Sequence, residues 1–387
     1  MKIMLNPALL FAIIWSITLL LYSSHLSYII EPIKNETVIM ICLSLVAFVL
    51  PFLLYTIVAK KPYLYPNFSI EKYKLQITSK RISNKVKRLA WFWLLMSTLE
   101  LFQAKNFPLL SLFGVGPYVN YVEFGISGLH GLLNAIFLFL SCFYFVKYKA
   151  EGKNKYLFIL ILLFVWPVLL TTRQLMLSYC IQLFFIHLLT TKINLKKIFK
   201  IAVFVLAIFS IFGYLGDVRS GREHMISLSR PTFDYPEYLP SFFIWIYIYI
   251  VSPLNNINHN ITEITPLYFP FNTIISLFPS VVRELLVSFF QVDNYNIKLV
   301  TEAFNVSSFY EPFLLDFGYI LQAPALLVIS SISILAMHRA NNKIMYVFIL
   351  SIILHGITLS VFANFLTHIV FVFQMMLSFF IFKVRFK

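Results

Sequence analysis

The sequence predicts an all-α fold: a polytopic integral membrane helical bundle with about 10 transmembrane helices, or about 12 on a more generous count, and one large loop. Of the 387 residues, 60% are hydrophobic, only 12% are charged, and the mean hydropathy is +0.82. Soluble domains carry about 25% charged residues. Apolar runs near the ~20 residues needed to cross a bilayer recur along the chain. These observations exclude a soluble globular protein.

About ten apolar runs supply the predicted spans. The long ones lie at about residues 8–30, 38–59, 127–146, 317–337, 344–361 and 365–382. The shorter or less apolar ones lie at about residues 89–103, 156–172, 174–190 and 201–215. We therefore expect three parts: transmembrane helices in residues 1–215, a large loop over residues 216–316, and further transmembrane helices in residues 317–387.

Basic residues orient the predicted bundle. Four connections and the two termini hold 23 of the 31 Lys and Arg residues, against only Glu71 and Glu151. The connections are residues 60–88, 147–155, 191–200 and 338–343. The predicted spans place them on one side, which the positive-inside rule makes cytoplasmic, together with the N- and C-termini. The net charge of +15 is thus a topology signal and implies no nucleic-acid partner.

Arginine is distributed differently from lysine. Only four of those 23 basic residues are Arg, whereas five of the other eight are Arg. The guanidinium fork binds phosphate or carboxylate through paired hydrogen bonds and stays charged when buried. The candidate ligands for an anionic substrate are therefore Arg173, Arg219, Arg222, Arg230 and Arg283.

Arg173 lies at the tight turn between two predicted spans. A charge at membrane depth is costly and marks a functional site by default, whereas the plainer interpretation is an interfacial Arg whose head reaches water. The turn is on the predicted outer side, where orientation disfavours a basic residue. We therefore favour a binding role for this side chain.

The loop over residues 216–316 opens with an ionisable cluster of mixed sign. Asp217, Glu223 and His224 lie beside Arg219 and Arg222 in the sequence. Salt bridges that fix the loop would explain this cluster. The sharper interpretation is a group of Arg side chains that receives a diphosphate next to a general acid or base. The candidate catalytic residues are Asp217, Glu223 and His224.

Two apolar runs inside the loop, residues 241–252 and 272–290, are too short or too interrupted to span, so we expect re-entrant or interfacial helices. Arg283 next to Glu284 in the second run fits a buried ion pair as well as a substrate contact. No HExxH, DxD, P-loop or GxGxxG motif occurs, so the sequence predicts no metal site and no cofactor.

Several short motifs resemble those of one family, the oligosaccharide repeat-unit polymerases, which are the Wzy-type O-antigen polymerases of bacterial inner membranes. The matching residues are Phe124, Gly125, Gly128, His130 and Gly131; Thr172, Arg173 and Gln174; Asp217, Arg219, Ser220 and Gly221; Tyr249, Ser252, Pro253, Leu254 and Asn255; and Thr301, Phe304, Tyr310, Asp316, Phe317 and Gly318. The chain departs from the family in one respect, because no candidate Arg is followed eleven residues later by Gly.

The resemblance implies glycosyl transfer at the periplasmic face of the bacterial inner membrane. An undecaprenyl-diphosphate-linked oligosaccharide would be the donor, and the terminal sugar hydroxyl of a second lipid-linked unit would be the acceptor. Membrane lipids and a polysaccharide chain-length regulator would be further partners. In this scheme the diphosphate or glycan is bound by Arg173, Arg219, Arg222, Arg230, Arg283, Asn255 and Tyr310.

Other functions compete with this interpretation. An O-antigen ligase would share the donor but use lipid A-core as acceptor. A lipid-linked oligosaccharide flippase, a transporter, would have about twelve spans with charges lining the bundle. A membrane acyltransferase would place a His, Arg and Asp site on the cytoplasmic side. A structural membrane protein would need none of these sites.

Overall fold

A computed structural model describes residues 5–59, 68–120, 123–191, 221–292, 297–302 and 304–383. Within these ranges the chain forms sixteen α-helices and no β-strand, with one isolated β-bridge between Ser27 and Pro231. The predicted all-α class is therefore confirmed for the described part of the chain. Asp217, Arg219 and the predicted span at 201–215 lie outside it.

The first half of the bundle contains eight helices. They are α1 Pro7–Ser23, α2 Asn35–Ala59, α3 Ile70–Thr78, α4 Lys80–Ala104, α5 Pro108–Leu112, α6 Leu129–Glu151, α7 Asn154–Leu169 and α8 Arg173–Thr190. Five of the predicted spans correspond to α2, α4, α6, α7 and α8. The predicted span at 8–30 ends early, at Ser23 of α1, and the short helix α3 in the basic connection was not predicted.

The second half contains the other eight. They are α9 Arg222–Ser229, α10 Phe242–Asn260, α11 Phe271–Ile275, α12 Ser280–Phe290, α13 Glu311–Leu321, α14 Ala323–Ala340, α15 Ile344–Thr358 and α16 Ile369–Lys383. The predicted span at 317–337 is interrupted, because Gly318 takes a φ of +71° and α13 ends at Leu321. A Cβ at Gly318 would lie 3.0 Å from Cγ of Pro266, so a side chain there would collide with the neighbouring loop.

Three described helices are long and apolar enough to cross a membrane by length and composition: Asn35–Val58 in α2, α6 and α14. Four shorter apolar helices accompany them, namely α1, α7, α15 and α16. These helices fit a membrane protein. The count of about 10 spans and the periplasmic position of the large loop remain predictions.

The core is built around α6 and α15, which are surrounded by the other helices. α6 contacts α3, α4, α7, α8 and α16, while α15 contacts α1, α8, α14 and α16. In α6 every side chain from Ala135 to Phe143 is buried, and in α15 so is nearly every one from Ile344 to Ile357. A helix that is apolar and buried all round belongs at the centre of a bundle.

The described parts of the first, second and fourth basic connections lie at one end of the bundle. Nζ of Lys147 donates to Oγ of Ser83 at 2.8 Å, and Nζ of Lys85 donates to the carbonyl of Phe380 at 3.2 Å. Tyr73 of α3 donates its hydroxyl to the carbonyl of Ala340. These contacts join residues of the first, second and fourth basic connections and the C-terminal helix. The positive-inside argument requires this grouping, although the side of the membrane that this end faces stays a prediction.

At the opposite end, α10 differs from its prediction as a short apolar helix. It extends for 19 residues, through Pro253, into four buried asparagines: Asn255, Asn256, Asn258 and Asn260. Their side-chain amides bond the backbone of two neighbouring segments, residues 29–34 and 298–306. We call these four residues the asparagine clamp. They fix the connections at this end of the bundle.

Candidate functional site

A cavity of about 840 Å³ opens at the end of the bundle opposite the basic connections. Its walls come from the segment after α4, the start of α6, the turn before α8 and the start of α16. The residues that line it and matter below are Leu112, Tyr118, His130, Asn134, Thr171, Arg173, Gln174, Ser178 and His368. The cavity thus brings together His130 and Arg173, which belong to two separate predicted motifs.

Arg173 is the first residue of α8, and the turn before it aims it at the cavity. Helix α7 ends in a Schellman motif: Thr171 N–H donates to the carbonyl of Val168 and Thr172 N–H to that of Pro167. Thr171 takes the left-handed conformation, with φ of +55°, which a β-branched residue rarely adopts. The guanidinium is exposed and has no ion pair within the described ranges. Combined with the positive N-terminus of α8, it forms a site for an anion.

His130 lines the same cavity as Arg173 and contacts a buried carboxylate behind it. Nδ1 of His130 lies 3.0 Å from Oε2 of Glu100, a fully buried residue of α4. The other oxygen, Oε1, accepts the backbone N–H of Ile126 at 3.0 Å. In the neutral tautomer that donates from Nδ1 to this carboxylate, Nε2 keeps a lone pair. This arrangement suits a general base.

The glycine-rich segment before α6 holds the His130 ring in place. Gly125 has a φ of +103°, and a Cβ built there would lie 2.5 Å from Nδ1 of His130. The edge of Phe124 meets the same ring, with centroids 5.8 Å apart. Only glycine lets this turn close over the imidazole, so the motif at residues 124–131 serves to position His130.

The wall between His130 and Arg173 contains an unpaired polar atom. Oδ1 of Asn134, one turn after His130 on α6, is buried and has no hydrogen-bond partner among the described residues. Nearby, Oγ of Ser178 pairs with Nε2 of the buried His355 at 3.1 Å. Buried carbonyl oxygens are normally bonded. Because Asn134 lines the cavity, a side-chain rotation towards the cavity would let this oxygen accept a hydroxyl or amide hydrogen from a bound ligand.

A second cation, Arg283, lies near the cavity without lining it. His368 is an exposed residue that lines the cavity, and it lies within range of the positive charge of Arg283 on α12. Oγ of Ser280, at the start of α12, meets Oγ of Ser127 at 2.8 Å and so fixes α12 beside the glycine-rich segment. Among the predicted Arg residues, Arg283 is thus the second one near the cavity.

The described members of the predicted loop cluster lie elsewhere. Arg222 donates to the carbonyls of Pro236 and Leu239, at 2.6 and 3.3 Å, and lies over the Tyr235 ring. The Arg222 guanidinium therefore stabilises the conformation of the segment that follows α9. The other members, Glu223, His224 and Arg230, are exposed on or just after α9, and none of the residues 221–240 lines the cavity.

Asn255 and Tyr310 are scaffold residues by their contacts. Oδ1 of Asn255 accepts from the Tyr22 hydroxyl at 2.8 Å and from Glu31 N–H at 2.9 Å, as part of the asparagine clamp. The Tyr310 ring is fully buried and lies 4.5 Å, between centroids, from the Trp15 ring. Neither residue lines the cavity, so neither belongs to the candidate site.

Glu100 was missed by the sequence analysis, although the sequence contains a signal for it. It is the only Asp or Glu inside any of the predicted spans. A carboxylate at membrane depth is expensive to bury and is a functional candidate by default. Applied to Glu100 as it was to Arg173, this rule would have singled out the residue, though not its histidine partner.

Comparison with known proteins identifies no relative of this chain. No family model, no curated protein and no solved structure matches it. The function is therefore argued from the cavity's own residues.

Proposed function

We propose that this protein is a glycosyltransferase that polymerises undecaprenyl-diphosphate-linked oligosaccharide units at the periplasmic face of a bacterial inner membrane. One observation carries the proposal. The cavity at the end away from the basic connections combines Arg173, at a helix N-terminus, with a histidine held by a buried carboxylate. A transfer with a diphosphate leaving group needs both an anion site and a base.

Arg173 and the N-terminus of α8 would bind the diphosphate of the donor. As the bond between the anomeric carbon and the diphosphate oxygen breaks, negative charge builds on that oxygen. A guanidinium fork and helix amides stabilise this charge more in the transition state than in the bound donor. Arg283, near the cavity, would be the second cation for the same group. Arg219 keeps its predicted role as a proposal, since it lies outside the described residues.

His130 would be the base that activates the acceptor. Its Nε2 takes the proton of the acceptor hydroxyl while that oxygen attacks the anomeric carbon, and the lipid diphosphate leaves with the bonding electron pair. Glu100 keeps the ring oriented and stabilises the imidazolium that forms. Asn134 would accept a hydrogen bond from a sugar hydroxyl. We place the base at His130 because Glu223 and His224 lie outside the cavity.

The test is the surface polysaccharide pattern of a deletion strain complemented with variants. The wild-type gene should restore the ladder of long chains on a denaturing gel. Arg173→Ala, His130→Ala and Glu100→Gln should each leave core with a single repeat while reaching wild-type membrane levels. His224→Ala serves as the discriminating variant: loss of the ladder there, with a normal ladder for His130→Ala, would move the base to α9.

The same gel separates the competing functions. Unsubstituted core with accumulated lipid-linked polymer would identify a ligase instead. Unsubstituted core with lipid-linked single units retained on the cytoplasmic side would identify a flippase. A normal ladder in the deletion strain would overturn the proposal.

A further inference from the structure

The cavity continues onto an exposed apolar loop. Residues 110–118, which we call the portal loop, comprise the end of α5 and the segment after it, and most of their large side chains are exposed. The exposed fractions are 67% for Leu112, 76% for Phe113, 56% for Val115 and 76% for Tyr118. Leu112 and Tyr118 also line the cavity that contains Arg173. One surface therefore runs from an apolar exterior to a cationic interior.

The portal loop is held in this shape by internal hydrogen bonds. Nδ2 of Asn106 donates to the carbonyl of Val115 at 2.6 Å and to that of Pro117 at 2.9 Å. Gly116 lies so close that a Cβ there would be 2.8 Å from the same nitrogen. A buried asparagine, Asn106, thus fixes a loop whose apolar side chains point outward. Water alone gives no reason to fix such side chains, since their exposure is unfavourable.

We propose that the portal loop binds the hydrocarbon chain of an anionic lipid whose head group is held by Arg173. An amphiphile fits the two halves of this surface, because its tail matches Leu112, Phe113 and Val115 and its charge matches the guanidinium. The loop would guide the tail from the bilayer to the cavity while the head enters. This inference rests on the proposed function only in taking a lipid diphosphate as the anionic lipid.

Photo-crosslinking of the full-length protein in lipid nanodiscs tests the proposal directly. The probe is a prenyl diphosphate with a diazirine in its tail, and a diazirine-labelled phosphatidylcholine reports contact with bulk lipid. We expect the prenyl probe to label the portal loop and unlabelled prenyl diphosphate to compete with it. Labelling that resists competition, or that appears only with phosphatidylcholine, would overturn the proposal because the loop would then touch bulk lipid alone.

Two variants make the same test quantitative. Phe113→Ser should weaken competition by a long-chain prenyl diphosphate about tenfold, the loss expected for one buried aromatic contact, and leave a short-chain analogue unaffected. Phe289→Ser is the matched control, because Phe289 is 79% exposed on α12 and does not line the cavity. Equal effects on long and short chains would contradict a tail-binding role.

The binding readout separates this proposal from the polymerase proposal. Competed labelling together with a normal ladder in the deletion strain would keep the lipid site and discard the polymerase. Uncompeted labelling together with loss of the ladder would discard the portal loop and keep the polymerase.

Discussion

Two polar regions at the same end of the bundle use asparagine in opposite ways. In the asparagine clamp, each of the four amides both donates and accepts hydrogen bonds, to backbone groups of the neighbouring segments or to Tyr22 and Thr37. In the cavity, Oδ1 of Asn134 is buried without a partner in the described chain, and Arg173 has no ion pair there. The residue types are alike, but their hydrogen-bonding states differ.

The difference separates scaffold from site. A satisfied buried amide contributes about 1 kcal/mol per hydrogen bond and defines the position of the chain around it. An unsatisfied buried acceptor costs about 1–3 kcal/mol unless water or a ligand completes it, and Asn134 is such an acceptor on a residue that lines the cavity. We therefore expect clamp substitutions to lower stability and cavity substitutions to lower activity.

The largest expected effect is on the cavity side. Arg173→Ala should lower the rate of glycosyl transfer by about 100-fold or more, because the leaving diphosphate loses its main cation. The transfer rate of Arg173→Lys should lie between those of Arg173→Ala and the wild type, since lysine keeps the charge but loses the paired hydrogen bonds. The rate is measured with purified protein and lipid-linked donor, and the unfolding temperature should stay within experimental scatter. A strongly lowered unfolding temperature would make Arg173 a scaffold residue.

The clamp should show the reverse pattern. Oδ1 of Asn258 accepts from Lys34 N–H and the Thr37 hydroxyl, and its Nδ2 donates to the carbonyl of Pro32. Asn258→Ala leaves these groups buried without partners and should reduce the free energy of unfolding by about 2 kcal/mol. Denaturant unfolding in detergent measures this loss. The activity per folded molecule should not change. A large drop in this activity would contradict a purely structural role for the asparagine clamp.

Asn134 in the cavity provides a direct comparison with Asn258 in the asparagine clamp, because both residues are asparagines. Asn134→Ala removes an acceptor that no described residue uses, so the free energy of unfolding should not fall. The rate of transfer should drop about tenfold, as expected for one lost hydrogen bond to substrate. Destabilisation as large as that of Asn258→Ala, with normal activity, would place Asn134 with the scaffold.

The apolar runs and the basic residues determined much of this fold locally. A run of apolar residues forms a helix in a membrane regardless of its neighbours, since only a helix satisfies its backbone. Hence every predicted span in the described ranges contains an observed helix, and Arg173 stood out as a charge between two of them. The span predicted at 317–337 begins later than expected, at Ala323, after the non-helical backbone of Gly318.

The tertiary structure alone decided which polar residues form a site. Glu100, His130 and Arg173 are far apart in sequence and converge because α4, α6 and α8 pack side by side. The sequence pattern predicts that Arg222 binds substrate, whereas in the structure its guanidinium donates hydrogen bonds to the carbonyls of its own loop. Whether a buried polar atom is satisfied depends on residues distant along the chain, and no local pattern contains that information.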